Sequence, residues 1–344
     1  MKRRAALAFG IAITLIVLFV AAVGWEDVFA AARQANLRVY GLAFLASVAC
    51  LGFRSIVWTR VLGVVLDRAV SATLVAGIFL TAMFIKYVTP YGQVASTPGI
   101  AAVLPRYMDL SFEEGFAAVV SADFLNYVPY YTFGGVGLAY FVLVHTPAGV
   151  GLPIDTQYVL AVAMLVAVIA SVLAVLWFRR GLVESGLVAI LGPLRRLVAR
   201  VSERQAQRLQ PENVEERLQG FYTTLDLVSR DRRAMLTALV FAHAGWLGYA
   251  TALYLTAYAI GEPIPFGLAM LAMALSKFGF LVPAPGGLGG VEIALATVLF
   301  LITGMPSAIA VATAILFRFA TYWFTILVGG LSSVLLTVHD PTMT

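Results

Sequence analysis

The feature that most constrains this chain is a stretch of two prolines and four glycines inside otherwise apolar sequence. It reads PAPGGLGGVE over residues 283–292, and the apolar sequence around it runs from residue 265 to residue 337. Proline lacks the backbone amide proton and glycine loses much conformational freedom in a helix, so an ordinary helix cannot continue through the stretch. Inside a bilayer, unwound backbone is tolerated only where protein or a water-filled cavity covers it. A broken helix at membrane depth therefore predicts a site.

The helix that follows the break is predicted to present its positive end to that site. We expect it to begin near Gly287, so that its free amide protons and partial positive charge point into the break. Glu292 lies one turn further on, where an unpaired charge in a membrane costs about 3 kcal/mol. A kinked helix pair without a ligand is the alternative interpretation.

The composition excludes a soluble globular domain. Of the 344 residues, 61% are hydrophobic and only 12% are charged, and the mean hydropathy is +0.92. These values predict an all-α polytopic membrane protein with a single transmembrane domain over residues 1–344. The net charge of +5 comes from Arg-rich segments between apolar runs, which indicates cytoplasmic loops and no nucleic-acid partner. One cysteine and three scattered histidines indicate no metal site, and no motif indicates a cofactor.

The distribution of arginine predicts the topology. Residues 181–233 form the only sizeable polar segment, and a re-entrant hairpin over residues 70–105 keeps this segment on the cytoplasmic side. By the same count, residues 265–302 form a second hairpin that opens from the outside. The first half (39–144) and the second half (235–338) then repeat the order span, hairpin, long span in opposite orientations. An inverted repeat with two re-entrant, discontinuous helix hairpins is typical of transporters.

The Arg-rich segment predicts a helix on the membrane surface. Arg196, Arg200, Arg204 and Arg208 recur at steps of four residues. A basic helix face of this kind suits anionic headgroups, and a simple positive-inside anchor is the alternative. We therefore expect membrane lipids as partners and leave a homo-oligomer open. We also expect a multi-pass protein of the plasma membrane with the N-terminus and the C-terminus in the cytoplasm.

Three motifs resemble a known family. The motif FLVPAPGGLGGVE at residues 280–292 is similar to the signature of the flippase-like transmembrane region of lysylphosphatidylglycerol synthases, and TPYGQ at 89–93 and RSIVW at 54–58 are similar to its two earlier motifs. That region also occurs as stand-alone integral membrane proteins in bacteria and archaea. The resemblance implies membrane insertion and, in the synthases, movement of a charged phospholipid between leaflets.

The chain departs from the family pattern in two places. The family usually follows the Gly-Gln of the first hairpin with Gly-Glu-Pro and a later Arg, whereas this chain has Ser96, Thr97, Pro98 and Ile100. The acid and the base of that hairpin are therefore missing. The chain also ends at Thr344, soon after its last apolar run, so we expect no aminoacyl-transfer domain and no enzyme activity.

The candidate site combines both hairpin breaks with the ionisable residues near them. The Lys277 ammonium could join the helix end in holding a lipid phosphate. The Arg318 guanidinium suits a phosphate or a carboxylate, and its pairing with Glu292 is the alternative. Asp123 could support the first hairpin or carry a coupling proton. The predicted substrate-binding residues are Lys277, Pro285, Gly286, Gly287, Gly289, Glu292, Arg318, Pro90, Gly92, Gln93 and Asp123.

The sequence leaves two functions open. The first is a flippase or transporter of a polar lipid, either a phospholipid or a lipid-linked molecule, with its cavity between the two hairpins. The second is a non-transporting membrane partner of a glycosyltransferase or lipid-modifying enzyme, which docks through the Arg-rich segment. A polar, water-accessible cavity around Lys277, Glu292 and Arg318 would favour the transporter, and dry packing of these side chains would favour the partner.

Cysteine labelling tests the predicted topology. In a Cys50→Ser background, Ser202→Cys should react with a membrane-impermeant maleimide only after the cells are opened, because the Arg-rich segment is predicted to be cytoplasmic. Glu262→Cys is the matched control, since its loop lacks Lys and Arg and should be labelled in intact cells. Labelling of Ser202→Cys in intact cells would overturn the topology.

Overall fold

The structure is a computed structural model of the chain, and it describes residues 2–89, 92–145, 211–282 and 284–338. Over these residues the chain is helical and contains no strand. Five of the described helices are long and apolar enough to cross a membrane, and a bent pair near the N-terminus makes a sixth if it counts as one span. The prediction of an all-α polytopic membrane protein is confirmed.

The chain divides into two compact units. The first consists of residues 1–144 and 225–344 and contains both hairpins and the residues of every site discussed below. From the second unit, residues 145–224, the structure describes residue 145 and the first part of one helix, from residue 211 onward. The predicted surface helix with Arg196, Arg200, Arg204 and Arg208 lies outside the described residues.

The helices are numbered α1 to α12 along the described part of the chain. Four short segments, two π-helical and two 3-10, are given beside the helices that they adjoin. Their bounds are α1 Lys2–Val23, α2 Trp25–Arg33, α3 Leu37–Val65, α4 Ala72–Val88, α5 Gly92–Val103, α6 Phe112–Tyr140 with the π-helical Phe141–His145, α7 Pro211–Arg230, α8 Arg232–Ile260, α9 Phe266–Leu275 with the 3-10 segment Ser276–Leu281, the 3-10 segment Pro285–Gly287, α10 Gly290–Thr303, α11 Ser307–Arg318 with the π-helical Phe319–Trp323, and α12 Phe324–Val338.

Local polar contacts determine where several helices begin. A capping box opens α6, since Ser111 Oγ accepts from the Glu114 amide at 3.2 Å and Glu114 Oε2 accepts from the Ser111 amide at 2.8 Å. At the start of α8, Asp231 Oδ1 accepts from the Ala234 amide at 2.8 Å. These bonds satisfy amide groups that a helix cannot pair internally.

Three of the four helices that form the two hairpins are too short to span a bilayer as ordinary straight segments. The fourth, α10, is long enough together with the 3-10 segment before it (Pro285–Thr303, 19 residues). In the first hairpin, α4 has 17 residues and α5 has 12. In the second, α9 has 10 residues and α10 has 14, while a transmembrane helix needs about 20. The two predicted breaks are therefore present as interruptions between short helices. The re-entrant course of the hairpins and the inverted relation of the two halves stay predictions.

The two halves of the sequence pack reciprocally. Helices α3 and α8 lie against each other along most of their lengths. The first hairpin packs through α4 against α12, the last helix of the second half, and the second hairpin packs through α9 against α6, the long helix of the first half. Glycines allow the close approach at both contacts: an added Cβ on Gly137 of α6 would lie 2.6 Å from the Leu271 amide nitrogen, and one on Gly329 of α12 would lie 3.0 Å from Phe84 Cβ.

Substitutions in α6 test the close contact with the second hairpin. Gly137→Leu should lower the free energy of unfolding by about 1–3 kcal/mol, because its side chain would collide with the backbone of α9. Gly135→Leu is the matched control, since an added Cβ there meets no atom within 4 Å. Thermal unfolding of the purified proteins in detergent measures both. Equal melting temperatures for the two variants would contradict the packing.

Candidate functional site

The second hairpin is interrupted by a turn of residues in left-handed backbone conformations. Gly286, Gly287 and Gly289 have φ angles of +55°, +67° and +83°, which residues with a side chain rarely adopt. The expected helix start near Gly287 is wrong by about one turn: Leu288 is extended, with ψ 134°, and α10 begins at Gly290.

A buried ion pair holds this break in place. Arg318 Nε donates to Glu292 Oε1 at 2.7 Å, and Arg318 Nη2 donates to the Gly286 carbonyl oxygen at 2.9 Å. The other carboxylate oxygen of Glu292 accepts from the Gly289 amide at 2.8 Å. Both charged side chains are buried. The two charges therefore satisfy each other and join the two sides of the break to α11, which is the pairing alternative of the sequence analysis.

Tyr322 links the second break to the end of α4 in the first hairpin. Its ring lies under the Arg318 guanidinium, with 4.0 Å from Cζ to the ring centroid. Its hydroxyl is 3.1 Å from the Pro285 carbonyl oxygen and 3.3 Å from the Tyr87 carbonyl oxygen, so it can donate to either. The tyrosine belongs to the π-helical segment that directly follows Arg318, and such segments often occur at functional sites.

The glycines of the break lie against side chains. An added Cβ on Gly286 would meet the Tyr322 ring, and one on Gly287 would lie 2.8 Å from Val291 Cγ2 and 2.9 Å from Phe280 Cδ1. Pro285, Gly286 and Gly287 are all buried. Their predicted contact with a substrate stays a prediction. The packing requires glycine at positions 286 and 287 whether or not a ligand binds.

Lys277 lies away from this ion pair, among aromatic rings. Its ammonium nitrogen is 4.9–5.9 Å from the centroids of four rings. It forms no ion pair or hydrogen bond with any described residue. Cation–π attraction stabilises such a charge by about 2 kcal/mol or more when water is excluded. The four rings belong to Tyr130, Trp246, Tyr249 and Phe280.

A second cation, which is buried, shares one of these rings. Arg54 of α3 is 6% exposed, and its Cζ lies 5.2 Å from the Trp246 centroid, while Lys277 Nζ lies 5.1 Å from the same centroid. Arg54 Nε has no hydrogen-bond partner, and among the described residues no carboxylate forms an ion pair with Arg54. The structure thus brings together two cations that form no ion pair with a carboxylate of the described residues.

The first hairpin contains the other buried ion pair of the described residues. Lys86 near the end of α4, 1% exposed, donates to Asp123 Oδ2 of α6, so the predicted support of this hairpin by Asp123 takes the form of an ion pair. The second oxygen of Asp123 is buried without a hydrogen-bond partner. Among described side chains, every buried polar atom without a partner lies on α3, α4 or α6: Arg54 Nε, Trp58 Nε1, Thr81 Oγ1, Ser121 Oγ, Asp123 Oδ1 and Asn126 Oδ1.

The remaining predicted residues belong to the break of the first hairpin. Gly92 begins α5 and its amide donates to the Thr89 carbonyl oxygen at 2.9 Å. An added Cβ on Gly92 would collide with the Lys86 backbone, so the turn brings α5 close to the end of α4. Pro90 and the side chain of Gln93 lie outside the described residues.

The sequence analysis placed Arg54 in a family motif but left it out of the predicted site. The aromatic residues around Lys277 were also missed. Trp246 and Tyr249 are three residues apart on α8, but aromatic residues at helical spacing usually indicate an ordinary core. Only the fold shows that rings from α6, α8 and the second hairpin converge on one ammonium group.

The chain is similar to a known protein family and to individual membrane proteins. The family described as "Lysylphosphatidylglycerol synthase TM region" matches residues 5–329. A UPF0104 membrane protein of Methanothermobacter thermautotrophicus is 22% identical over 333 residues, which cover 94% of this chain and 93% of that protein. A UPF0104 membrane protein of Pyrococcus horikoshii is 20% identical over 337 residues, which cover 96% of each chain. These relatives are similar to the chain over nearly its whole length.

Substitutions in the buried ion pair test its structural role. Glu292→Gln should lower the free energy of unfolding by about 3–5 kcal/mol, because the buried Arg318 then lacks its counter-ion. The double variant Glu292→Gln with Arg318→Met should regain much of this loss, since it removes the unpaired charge. Glu262→Gln, in a loop without an ion pair among the described residues, is the control. Thermal unfolding measures all four proteins, and a double variant no more stable than Glu292→Gln would contradict the pair.

Proposed function

The chain belongs to the lysylphosphatidylglycerol synthase transmembrane-region family, and we propose that it moves a polar, phosphate-bearing lipid between the leaflets of the membrane. The proposal concerns a phospholipid or a lipid-linked molecule, and it assigns transport without enzyme activity. It places the chain in the plasma membrane with both termini in the cytoplasm, which the distribution of arginine supports.

One observation carries this proposal: among the described residues, the buried Arg54 and the half-buried Lys277 form no ion pair with a carboxylate. Arg54 lies on the apolar span α3, and Lys277 lies where the second hairpin is interrupted. A single charge at the centre of a membrane costs about 3 kcal/mol. Because Arg54 Cζ and Lys277 Nζ lie 5.2 Å and 5.1 Å from the same ring centroid, the two charges are at most about 10 Å apart. They repel each other by at least about 1.6 kcal/mol at an effective dielectric constant of about 20. A bound anion would offset both costs, and the lipid component with a matching charge is the headgroup phosphate.

The aromatic rings stabilise the two cations while no lipid is bound. Trp246 lies against both Arg54 and Lys277, and the negative face of an aromatic ring stabilises a cation without neutralising it. A phosphate could therefore bind without first displacing a carboxylate. A Lys–carboxylate pair at the same place would have to break before each binding event.

The residues of the second break have a supporting role in this proposal. Arg318 and Glu292 satisfy each other, so their charges are not free to hold a headgroup. They hold the turn that positions the segment with Lys277. Of the predicted substrate-binding residues, Lys277 is the one that the proposal assigns to the phosphate, and Arg54 joins it in the place first given to Arg318.

The arrangement also supports transport over a purely structural partner role. The dry packing of Glu292 and Arg318 is the feature expected of a non-transporting partner of a membrane enzyme. Lys277, however, forms no ion pair or hydrogen bond with a described residue, and partnerless buried polar atoms concentrate on α3, α4 and α6. Such atoms are costly in an apolar interior unless a polar molecule reaches them. This uneven distribution favours a polar path beside the first hairpin.

A leaflet-resolved assay in liposomes tests the proposed function. Purified protein should expose a phosphatidylglycerol labelled on its acyl chain to an external quencher faster than protein-free liposomes do. Lys277→Met and Arg54→Gln should each lower the initial rate at least tenfold, because each removes one charge from the phosphate site. Arg38→Gln, an exposed position on the same helix as Arg54, should keep the parental rate.

Each contrary result has a distinct meaning. Wild-type liposomes that expose the lipid no faster than protein-free ones would refute transport and favour the partner role. Transport that persists at the parental rate in both Lys277→Met and Arg54→Gln would refute the phosphate site. Size-exclusion profiles and melting temperatures of the same preparations show whether a slow variant is folded.

A further inference from the structure

A surface pocket lies where the end of α3 meets the start of α8. Its volume is about 920 Å³, within the range of pockets that hold small ligands. Four arginines from four different segments line it, and all four are exposed: Arg60 of α3, Arg68 of the α3–α4 turn, Arg230 at the end of α7 and Arg233 of α8.

The pocket keeps a positive charge because its two acids do not neutralise the arginines. Asp231 caps α8, with Oδ1 accepting from the Ala234 amide at 2.8 Å. Asp67 forms no ion pair with a described residue, and its positive φ angle of 48° closes the turn after α3. None of the four arginines forms an ion pair with a described residue. Four guanidinium groups therefore surround one concave space.

The pocket is amphipathic and lies at the level where two spans end. Both α3 and α8 are apolar enough to cross a membrane, and the arginines cluster at the C-terminal end of one and the N-terminal end of the other. Val64, Val70 and the exposed Leu227 contribute apolar surface beside the charges. A free phosphate ion would use only the arginines, whereas a phospholipid would also cover this apolar surface with the first carbons of its acyl chains.

We propose that this pocket binds the headgroup of an anionic phospholipid, with the phosphodiester among the four arginines and the upper acyl chains against Val64, Val70 and Leu227. Guanidinium groups bind phosphate oxygens through paired, charge-assisted hydrogen bonds. Basic pockets between transmembrane helices are suited to such headgroups. The site is separate from the Arg54–Lys277 pair, and its occupancy does not depend on transport.

Binding of a short-chain lipid to the purified protein tests the pocket. Dihexanoyl-phosphatidylglycerol should bind the wild type in detergent and raise its melting temperature, and its affinity should fall as salt rises. Dihexanoyl-phosphatidylcholine and inorganic phosphate should each bind at least tenfold more weakly, the first because it has no net charge and the second because it has no acyl chains.

Paired substitutions distinguish lipid binding in the pocket from attraction to the basic surface as a whole. Arg60→Gln with Arg233→Gln removes one arginine from each span and should weaken dihexanoyl-phosphatidylglycerol binding by about 30-fold, from about 1 kcal/mol for each basic residue at a membrane surface. Arg232→Gln is the matched control, because its neighbour lines the pocket and it does not. The control should bind as the wild type does. Arg68→Gln with Arg230→Gln is a second pair for use if the first does not fold.

Three results would overturn the proposal. Equal weakening in Arg232→Gln would show that binding reports the basic surface as a whole. Equal affinity for inorganic phosphate would show an anion site without lipid selectivity. Unchanged lipid affinity in a folded pair variant would show that the lipid binds elsewhere. Because none of these measurements uses transport, the pocket can fail while the proposed function stands, and the reverse also holds.

Discussion

The ion pair between Arg318 and Glu292 is the contact on which the second hairpin depends. Without it, a chain interrupted by three left-handed glycines would have little to hold it in one conformation at membrane depth. The pair succeeds where many buried pairs destabilise, because both partners also bond to the backbone of the break: the guanidinium to the Gly286 carbonyl oxygen and the carboxylate to the Gly289 amide. Desolvation is thereby compensated by hydrogen bonds that a simple side-chain pair would lack.

Charged side chains are paired differently in the two halves of the molecule. In the second half, Arg318 and Glu292 satisfy each other, and the break is packed by Tyr322. In the first half, the described helices carry one ion pair, Lys86–Asp123, together with Arg54 outside any ion pair and several polar atoms without hydrogen-bond partners. Between these regions, Lys277 rests on aromatic rings. An internally satisfied break in the second half and partnerless polar atoms on α3, α4 and α6 in the first form an arrangement in which one side can serve as a support while the other meets a polar molecule.

The sequence predicted the class of fold and the location of both breaks, because proline, glycine and apolar length act locally. The set of residues that form the candidate site was harder to predict, because it depends on which helices pack against each other. For Arg318, pairing with Glu292 and contact with a substrate were both open until the fold placed α11 beside the second break. Arg54 was left out of the site until the fold placed it against Trp246, the ring that Lys277 also approaches. No local pattern distinguishes a paired arginine from an unpaired one.

The reciprocal packing of the hairpins has a consequence for how the protein is made. The hydroxyl of Ser332 on α12 donates to the Gly77 carbonyl oxygen of α4 at 3.0 Å, across a sequence separation of 255 residues. At a synthesis rate of about 5–20 residues per second, α4 emerges roughly 10–50 s before the helix that covers it. During that interval the first hairpin is held mainly by α3, α5 and α6. Completion of the fold therefore awaits the last helix, and ribosomal delay near the end of the message prolongs the exposure of the first hairpin.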